Sequence, residues 1–353
     1  MTGVFTYRTF SLQDTPPLDG KVAVITGGQG GVGQEITTRL LLNNIERVFI
    51  LARNKNKFEE SRKKWPHRTG LSLDVIDKKL EFIQCELADI RSVKGAAEHI
   101  KREIDRVHIL LCNAGLGVST QYNRSPQNIE SVFAANCVGH QLLVTILLPL
   151  LKRVTIDSPT SDARIVVTTS SMHMFCRRLD FDLLMAPNPT SRFRVVDAVW
   201  RYSRSKLGDI LLTKELSRRL QEGNDPAGKN IYINCFFPGN IVTEQWIGWN
   251  ELFGKPIGMI MRTLFSLFMG QSREDGAATA LYLGASDLPR EKNQRGQYFI
   301  PVATADWPSK IACDEKVARD LWDWIDAKIT QTLGSNWQDE PGKKSGKGDS
   351  KQK

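Results

Sequence analysis

Tyr202 and Lys206, in the stretch YSRSK, stand four residues apart. On a helix that spacing puts both side chains on one face, one turn apart. An ammonium held beside a phenol favours the phenolate, so the pair has the makings of a tuned proton donor and acceptor. The same spacing also occurs on solvated helices, so the pair needs company before it means chemistry. A second cluster lies in VAVITGGQGGVGQEI (22–36), where glycines separate a short β-branched run from a helical stretch. Gly28, Gly30 and Gly33 satisfy G-x-G-x-x-G, and Thr26, Gly27, Gly31 and Gly33 satisfy T-G-x-x-x-G-x-G. Either spacing lets a pyrophosphate approach the backbone at a helix N-terminus, whose N–H groups and partial positive charge favour an anion. The strand–turn–helix context favours dinucleotide binding over an ordinary tight turn.

The end of the second apolar run bears on which dinucleotide. NAD sites usually place an acid about 20 residues on, against the ribose 2′-hydroxyl, whereas NADP sites often place arginine there. This chain reads FILARNKNK: Ala52, then Arg53, with no acid before Glu59. A guanidinium without a carboxylate beside it favours a 2′-phosphate, and NADP(H) over NAD(H). The alternative is a solvated loop charge.

The elements that must position these groups alternate along the chain. Strands are expected at 21–26, 47–52, 80–85, 107–112, 164–169, 231–236 and 296–300, with helices near 32–43, 54–64, 90–104, 127–152, 197–221 and 274–286. Strands alternating with helices predict βαβ units, and near-continuous apolar strands predict a parallel sheet covered on both faces. The expected fold is α/β, a single-domain Rossmann-type doubly wound parallel sheet with helices on both faces, over residues 20–301. Residues 1–19 are an N-terminal extension, 302–333 a C-terminal extension with a helix near 316–329, and 334–353 a disordered basic tail.

Composition narrows the remaining possibilities. The net charge of +9 is partly local, since KKSGKGDSKQK carries five lysines and one aspartate. No aromatic–basic interleaving supports nucleic-acid binding. Six cysteines stand at 85, 112, 137, 176, 235 and 313, with no C-x-x-C pair or metal-ligand spacing, which suits a reducing compartment and a cytoplasmic home. No apolar signal core opens the chain, and the runs LLVTILLPLL and MIMRTLFSLFM are too short to span a bilayer.

Further pieces fall at successive strand ends, where open parallel sheets bind ligands. They are CNAG (112–115), RIVVTTSS (164–171), YSRSK itself, and PGNIVTE (238–244), with Asn136 in FAANCVGH. With these residues the chain resembles the short-chain dehydrogenase/reductase family. ILARN, CELADIRSVK, SSMHM, RYSRSKLGDILLTKEL and PGNIVTE are similar to the retinol-dehydrogenase-like branch, and the resemblance covers about residues 20–300. It implies Tyr202 as general acid or base, with Lys206 favouring the phenolate and holding the nicotinamide ribose. It implies Ser171, in preference to Ser170, as the substrate-oxygen ligand, and Asn136 as organiser of a water and the helix backbone. Thr26, Gly27, Gly31, Val32, Gly33, Arg53, Glu86, Leu87, Asn113, Ala114, Gly115, Pro238, Gly239, Ile241 and Thr243 would line the cofactor. His173 is expected to be structural or exposed. The Ser171–Tyr202 separation exceeds that of compact members, which puts the substrate-side loop (172–196) in question.

The resulting expectation is an NADP(H)-dependent oxidoreductase acting without a metal on an alcohol or carbonyl. The alternative is a non-catalytic nucleotide-binding scaffold or sensor of the same fold. Residues 241–272 are expected as a substrate lid. The apolar segment 244–271 suits a cover over a lipophilic substrate, packing on a sheet edge, or peripheral membrane contact. Oligomeric state stays open: the resemblance implies that the helices near 127–152 and 197–221 could form a four-helix homodimer interface, which an extension can block.

Overall fold

The computed structural model describes residues 8–157, 161–240 and 271–338. Its strands are β1 (Val22–Thr26), β2 (Arg47–Ala52), β3 (Leu80–Gln84), β4 (Ile109–Cys112), β5 (Ala163–Thr168), β6 (Ile231–Phe236), β7 (Tyr298–Ile300) and β8 (Thr304–Asp306). They form one sheet in the order β3-β2-β1-β4-β5-β6-β7-β8. Every neighbouring pair is parallel except β7 and β8. The strand order reverses beside β1, which opens a crevice at the carboxyl ends of β1 and β4.

Alternation along the strands explains their apolar character. Val22 and Val24 of β1 join the core on one face, and Ala23 and Ile25 join the core on the other. Successive side chains point to opposite faces, so a sheet covered on both sides needs apolar residues at nearly every position. Helix Gly31–Leu42 packs on one face beside helix Arg273–Ala285. Helix Ile90–Glu103, the long helix from Ser131 onward and helix Arg194–Glu222 lie on the other.

The expected strands and helices are all found, and the structure adds to them. Short helices at Trp65–Thr69 and Leu73–Lys79 connect β2 to β3. Trp65, fully buried, donates its indole N–H to Thr38 Oγ1 at 3.2 Å. β8 pairs antiparallel with β7, so the sheet continues past residue 301. The N-terminal segment is also packed: Phe10 is buried edge-on against Tyr282, and Thr9 donates to the Val302 carbonyl at 3.1 Å.

Two expectations change, and a third is narrowed. LLVTILLPLL belongs to a helix, Ser131–Ile156, that is long and apolar enough to cross a membrane; 83% of its apolar window is buried within the protein, as a core helix requires. Residues 334–338, assigned to the tail, are described and include a packed side chain. Trp337 is buried and donates to Thr330 Oγ1 at 3.1 Å, because an indole this large gains more from packing than from water. Of the two readings given for His173, structural or exposed, the structure shows the first: it is buried, Ser170 O lies 2.7 Å from its Nδ1, and Ser309 N–H donates to its Nε2 at 3.1 Å.

The C-terminal helix Glu315–Leu333 covers the two long helices. Leu321, Ile325 and Ile329 are fully buried, Gln141 donates to the Trp322 carbonyl at 3.2 Å, Arg219 pairs with Asp323 at 2.9 Å, and Trp324 meets Phe133 edge-on. The face nominated for a homodimer is therefore occupied, in the single chain, by its own C-terminal helix.

The first turn of helix Arg194–Glu222 is held by Arg201. Its guanidinium, 1% exposed, donates to Asp197 at 2.6 Å, Glu130 at 3.4 Å and the Ser119 carbonyl at 2.7 Å. Glu130 also accepts from the N–H groups of Val132 and Phe133, capping the long helix. Asp197 accepts from Thr190 N at 2.7 Å and so ties down the loop before the helix. Removing one member of a buried charge cluster leaves the others uncompensated. Arg201→Ala should therefore lose about 3–5 kcal/mol of stability, measured as a urea midpoint shift. Lys316→Ala, which breaks only an exposed pair with Asp320, should lose less than about 1 kcal/mol.

Candidate active site

The glycine loop folds according to the second of the two spacings. Helix Gly31–Leu42 begins at Gly31, and Gly27 and Gly31 have φ of 70° and 55°, where a Cβ is strained. A Cβ on Gly33 would lie 2.3 Å from the Gly27 carbonyl oxygen. Gly30 and Gly31 face open space within 4 Å. The loop is thus a backbone shelf whose helix N–H groups are free to meet an anion.

Thr26 ties this shelf to the next strand. Its hydroxyl oxygen accepts from the N–H groups of Asn113 and Ala114, each at 2.9 Å, and Asn113 Nδ2 donates to the Thr26 carbonyl at 3.0 Å. Thr26 Oγ1 also lies 3.0 Å from His140 Nε2, and His140 Nδ1 lies 2.8 Å from the Asn136 carbonyl. A carbonyl only accepts, so Nδ1 carries the proton and Nε2 accepts from the threonine. Burial pushes His140 down to about 4 and keeps it neutral. The shelf and the segment holding Asn136 therefore share one chain of hydrogen bonds.

Asn136 lies in a π-helical stretch, Ala134–Val138, between the turn Ser131–Phe133 and helix Gly139–Asp157. Its side-chain oxygen accepts from Leu116 N at 2.8 Å. Its amide donates to Leu116 O at 3.1 Å and to Ser205 Oγ at 2.9 Å. Ser205 in turn donates to the Tyr202 carbonyl at 2.8 Å. Asn136 thus clamps the loop after β4 onto the Tyr202 helix, with protein groups on both side-chain atoms.

Lys206 is 4% exposed. Its ammonium donates to the Thr168 carbonyl at 2.9 Å and to Asp209 Oδ2 at 2.8 Å, and lies 5.7 Å from the centre of the Tyr202 ring. Burial works against its charge, but Asp209 and then Tyr202 outweigh it and hold Lys206 above its ordinary value. Ser170 is engaged as the cap of the turn Ser171–Phe175, accepting from Met172 N at 3.2 Å.

These groups meet in one cavity of about 820 Å³ at the carboxyl ends of the strands. Of the residues nominated from sequence, Gly27, Gly31, Val32, Arg53, Glu86, Leu87, Asn113, Ala114, Gly115, Ser171, Tyr202, Lys206, Pro238 and Gly239 line it. Thr26, Gly33 and Asn136 stand behind the lining and hold it in place. Ile241 and Thr243 lie outside the described residues, as does almost all of the nominated lid. Against the expectation of a guanidinium with no carboxylate beside it, Arg53, 60% exposed, has its guanidinium 3.5 Å from Glu86, because β3 pairs with β2 and brings the residues after it alongside.

The structure adds lining residues that the sequence argument missed. Lys57 and Lys64 join Arg53 at the cavity; RNKNK (53–57) was the available signal for Lys57, and Lys64 lies further on, in SRKKW (61–65). Leu116, Val118, Met172 and Phe175 supply an apolar part of the wall. Asp209 was legible as a carboxylate three residues after Lys206, on the same helical face.

A scan of family descriptions matches residues 21–177 to short chain dehydrogenase. A short-chain dehydrogenase/reductase of Armillaria gallica is 31% identical over 317 residues, 90% of this chain and 93% of that protein. Retinol dehydrogenase 14 of Mus musculus is 30% identical over 315 residues, covering 87% of this chain and 85% of its own length. Among solved structures, a short chain dehydrogenase of Shigella flexneri complexed with NADP aligns with a TM-score of 0.56 at 19% identity, over 81% of this chain and 99% of that one. The shared fold, together with identity sustained over nine-tenths of both chains, establishes that this protein belongs to the short-chain dehydrogenase/reductase family.

Proposed function

We propose that the protein is an NADP(H)-dependent oxidoreductase that interconverts an alcohol and a carbonyl on a lipophilic small molecule, with Tyr202 as the proton-transferring group. The observation that carries this reading is the meeting of Tyr202, buried Lys206 and Ser171 with the glycine shelf in a single cavity. The residues present fit a dinucleotide. Besides the shelf, Gln29 Oε1, Thr168 Oγ1 and Asn240 Nδ2 are buried without a protein partner, and all three residues line the cavity. Buried polar atoms are normally satisfied, so such a set suits a polar ligand. Arg53, Lys57 and Lys64 give the cavity cations suited to a 2′-phosphate. The relative complexed with NADP is consistent with that choice.

The nicotinamide, when bound, gives or takes the hydride. The protein's own residues handle the proton and the geometry. Tyr202 donates a proton to the carbonyl oxygen during reduction and accepts one from the hydroxyl during oxidation. Ser171, the serine not used as a cap, hydrogen-bonds the same oxygen and orients it. Lys206 stands on the cavity wall beside Tyr202, with a donor left for the ribose. Asn136 keeps the two walls in register through Leu116 and Ser205. Leu116, Val118, Met172 and Phe175 exclude water and favour an apolar substrate body, in keeping with a retinol dehydrogenase among the relatives. All six cysteines are free, which supports a reducing, cytoplasmic setting.

Three measurements test this reading. Tyr202→Phe removes one hydroxyl with little change in shape, and kcat should fall by about 10²–10⁴ while NADPH affinity stays near the wild type. Near-full turnover at saturating cofactor would end the assignment. Fluorescence titration should show NADPH binding tighter than NADH by about 1–3 kcal/mol, the scale of a charge-assisted hydrogen bond, with Arg53→Ala losing much of that margin. Equal affinities in the wild type would remove Arg53 from the phosphate site. Along a series of straight-chain aldehydes, kcat/KM should rise about fourfold per methylene while the chain is still entering the pocket, following ~0.8 kcal/mol per buried CH₂. A preference for small or highly hydroxylated substrates would count against a lipophilic pocket.

A further inference from the structure

The mechanism leaves a buried carboxylate in contact with Lys206 without a part, that of Asp209. Asp209 stands three residues after Lys206, its side chain 2% exposed and its Oδ2 2.8 Å from Lys206 Nζ. A lysine ammonium has three donors. One goes to the Thr168 carbonyl and one to Asp209, which leaves one for a molecule in the cavity that Lys206 lines. Among the described residues, Asp209 is the carboxylate that pairs with this ammonium.

Among the described residues, the neighbouring elements supply no other compensating charge. From the π-helical stretch, Cys137 Sγ lies 3.7 Å from Asp209 Oδ1 and donates to the Ser205 carbonyl at 3.1 Å. Cys112 of β4 and Cys235 of β6 also face the Asp209 charge. Burial raises all three thiols, Cys235 to about 12, so they stay neutral. His140 faces Lys206 and is held neutral, and Tyr202 is the remaining titratable neighbour. More distantly, Glu130 is committed to the Val132 and Phe133 N–H groups and to Arg201.

One of two things would follow if Lys206 were buried without Asp209. Desolvation would press the ammonium to lose its proton. An ammonium that kept its proton would act on Tyr202 at full strength, in a region where water screens little. That charge would favour the phenolate over the phenol that gives its proton to a carbonyl. We infer that Asp209 is a positioning residue for the proton transfer: its carboxylate fixes the Lys206 ammonium against the end of β5 and offsets that charge at Tyr202, so that the phenol can both give and take a proton. The inference rests on the acid–base reading of Tyr202 and extends it to a group that touches neither substrate nor cofactor.

The test is Asp209→Asn, which keeps the shape and one acceptor oxygen but removes the charge. The rate of oxidation of a long-chain primary alcohol with NADP⁺ is followed in the full-length protein between about pH 7 and 10. Burial pushes the Asp209 carboxyl up to about 6, with Lys206 opposing, so the wild-type carboxylate is ionised across that range. Oxidation needs the proton acceptor, so kcat/KM rises with pH to a plateau. Without the carboxylate, the pH of half-maximal kcat/KM should fall by about one unit. Asp209→Glu, which restores the charge, should return the midpoint toward the wild type. Should Asp209→Asn fail to fold, Asp209→Ser is measured instead, with the same downward shift expected. A midpoint that stays at the wild-type pH or rises above it, or a loss of rate equal at every pH, overturns the inference. Tyr202→Phe separates the two readings. If it is active, the acid–base assignment fails; if it is inactive while the Asp209→Asn midpoint stays put, only the role of Asp209 fails.

Discussion

The constraint on which the site depends is the burial of a charged ammonium. Lys206 lies on a helix packed against β5 and β6, and almost none of it meets water. A charge so placed must find its solvation in fixed groups. Here those groups are the last carbonyl of β5 and a carboxylate one turn further along the same helix. The Thr169 hydroxyl donates to the Lys206 carbonyl at 2.7 Å, so the strand end grips the helix backbone as well as the side chain. Strand, helix and ion pair therefore fix one another. The position of Tyr202, four residues earlier, follows from that fixed stretch of helix.

A second set of bonds connects the two sides of the crevice. On one side lies the glycine shelf, and on the other the Tyr202 helix. Between them run Thr26, His140, Asn136 and Ser205, each hydrogen-bonded to the next through a side chain or its own backbone. Every member is buried, and an unpaired polar group there would be costly. The π-helical stretch at Ala134–Val138 sits at the middle of this chain. An extra residue in the turn re-aims side chains relative to a regular helix, and such bulges recur at functional sites.

The outlying segments work as supports for this centre. The loop before the Tyr202 helix is held through Asp197 and Arg201. His173 ties the turn carrying Ser171 to residue 309 in the C-terminal extension. The last helix lies across Gln141 and Arg219 on the two long helices. The extension thus touches the site from behind at two places, although none of its described residues lines the cavity.

The sheet and its crevice were legible in the sequence because their causes are local. Apolar β-branched runs separated by helical stretches leave few arrangements other than a doubly wound sheet. Gly27, Gly31 and Gly33 announce themselves because a side chain at those positions would be strained or would strike the backbone. Tyr202 and Lys206 share a face by helical spacing alone. Other features depend on contacts between residues far apart in the chain. No spacing rule brings Thr26 to His140 across 114 positions, or His173 to Ser309 across 136. No composition shows that Ser170 would cap the turn Ser171–Phe175, or that Trp337 would pack against the body of the protein. Asp209 stands between the two cases. Its place beside Lys206 could be read from the helix, but burial turns that neighbour into a necessary counter-charge, and burial exists only once the sheet has closed over it.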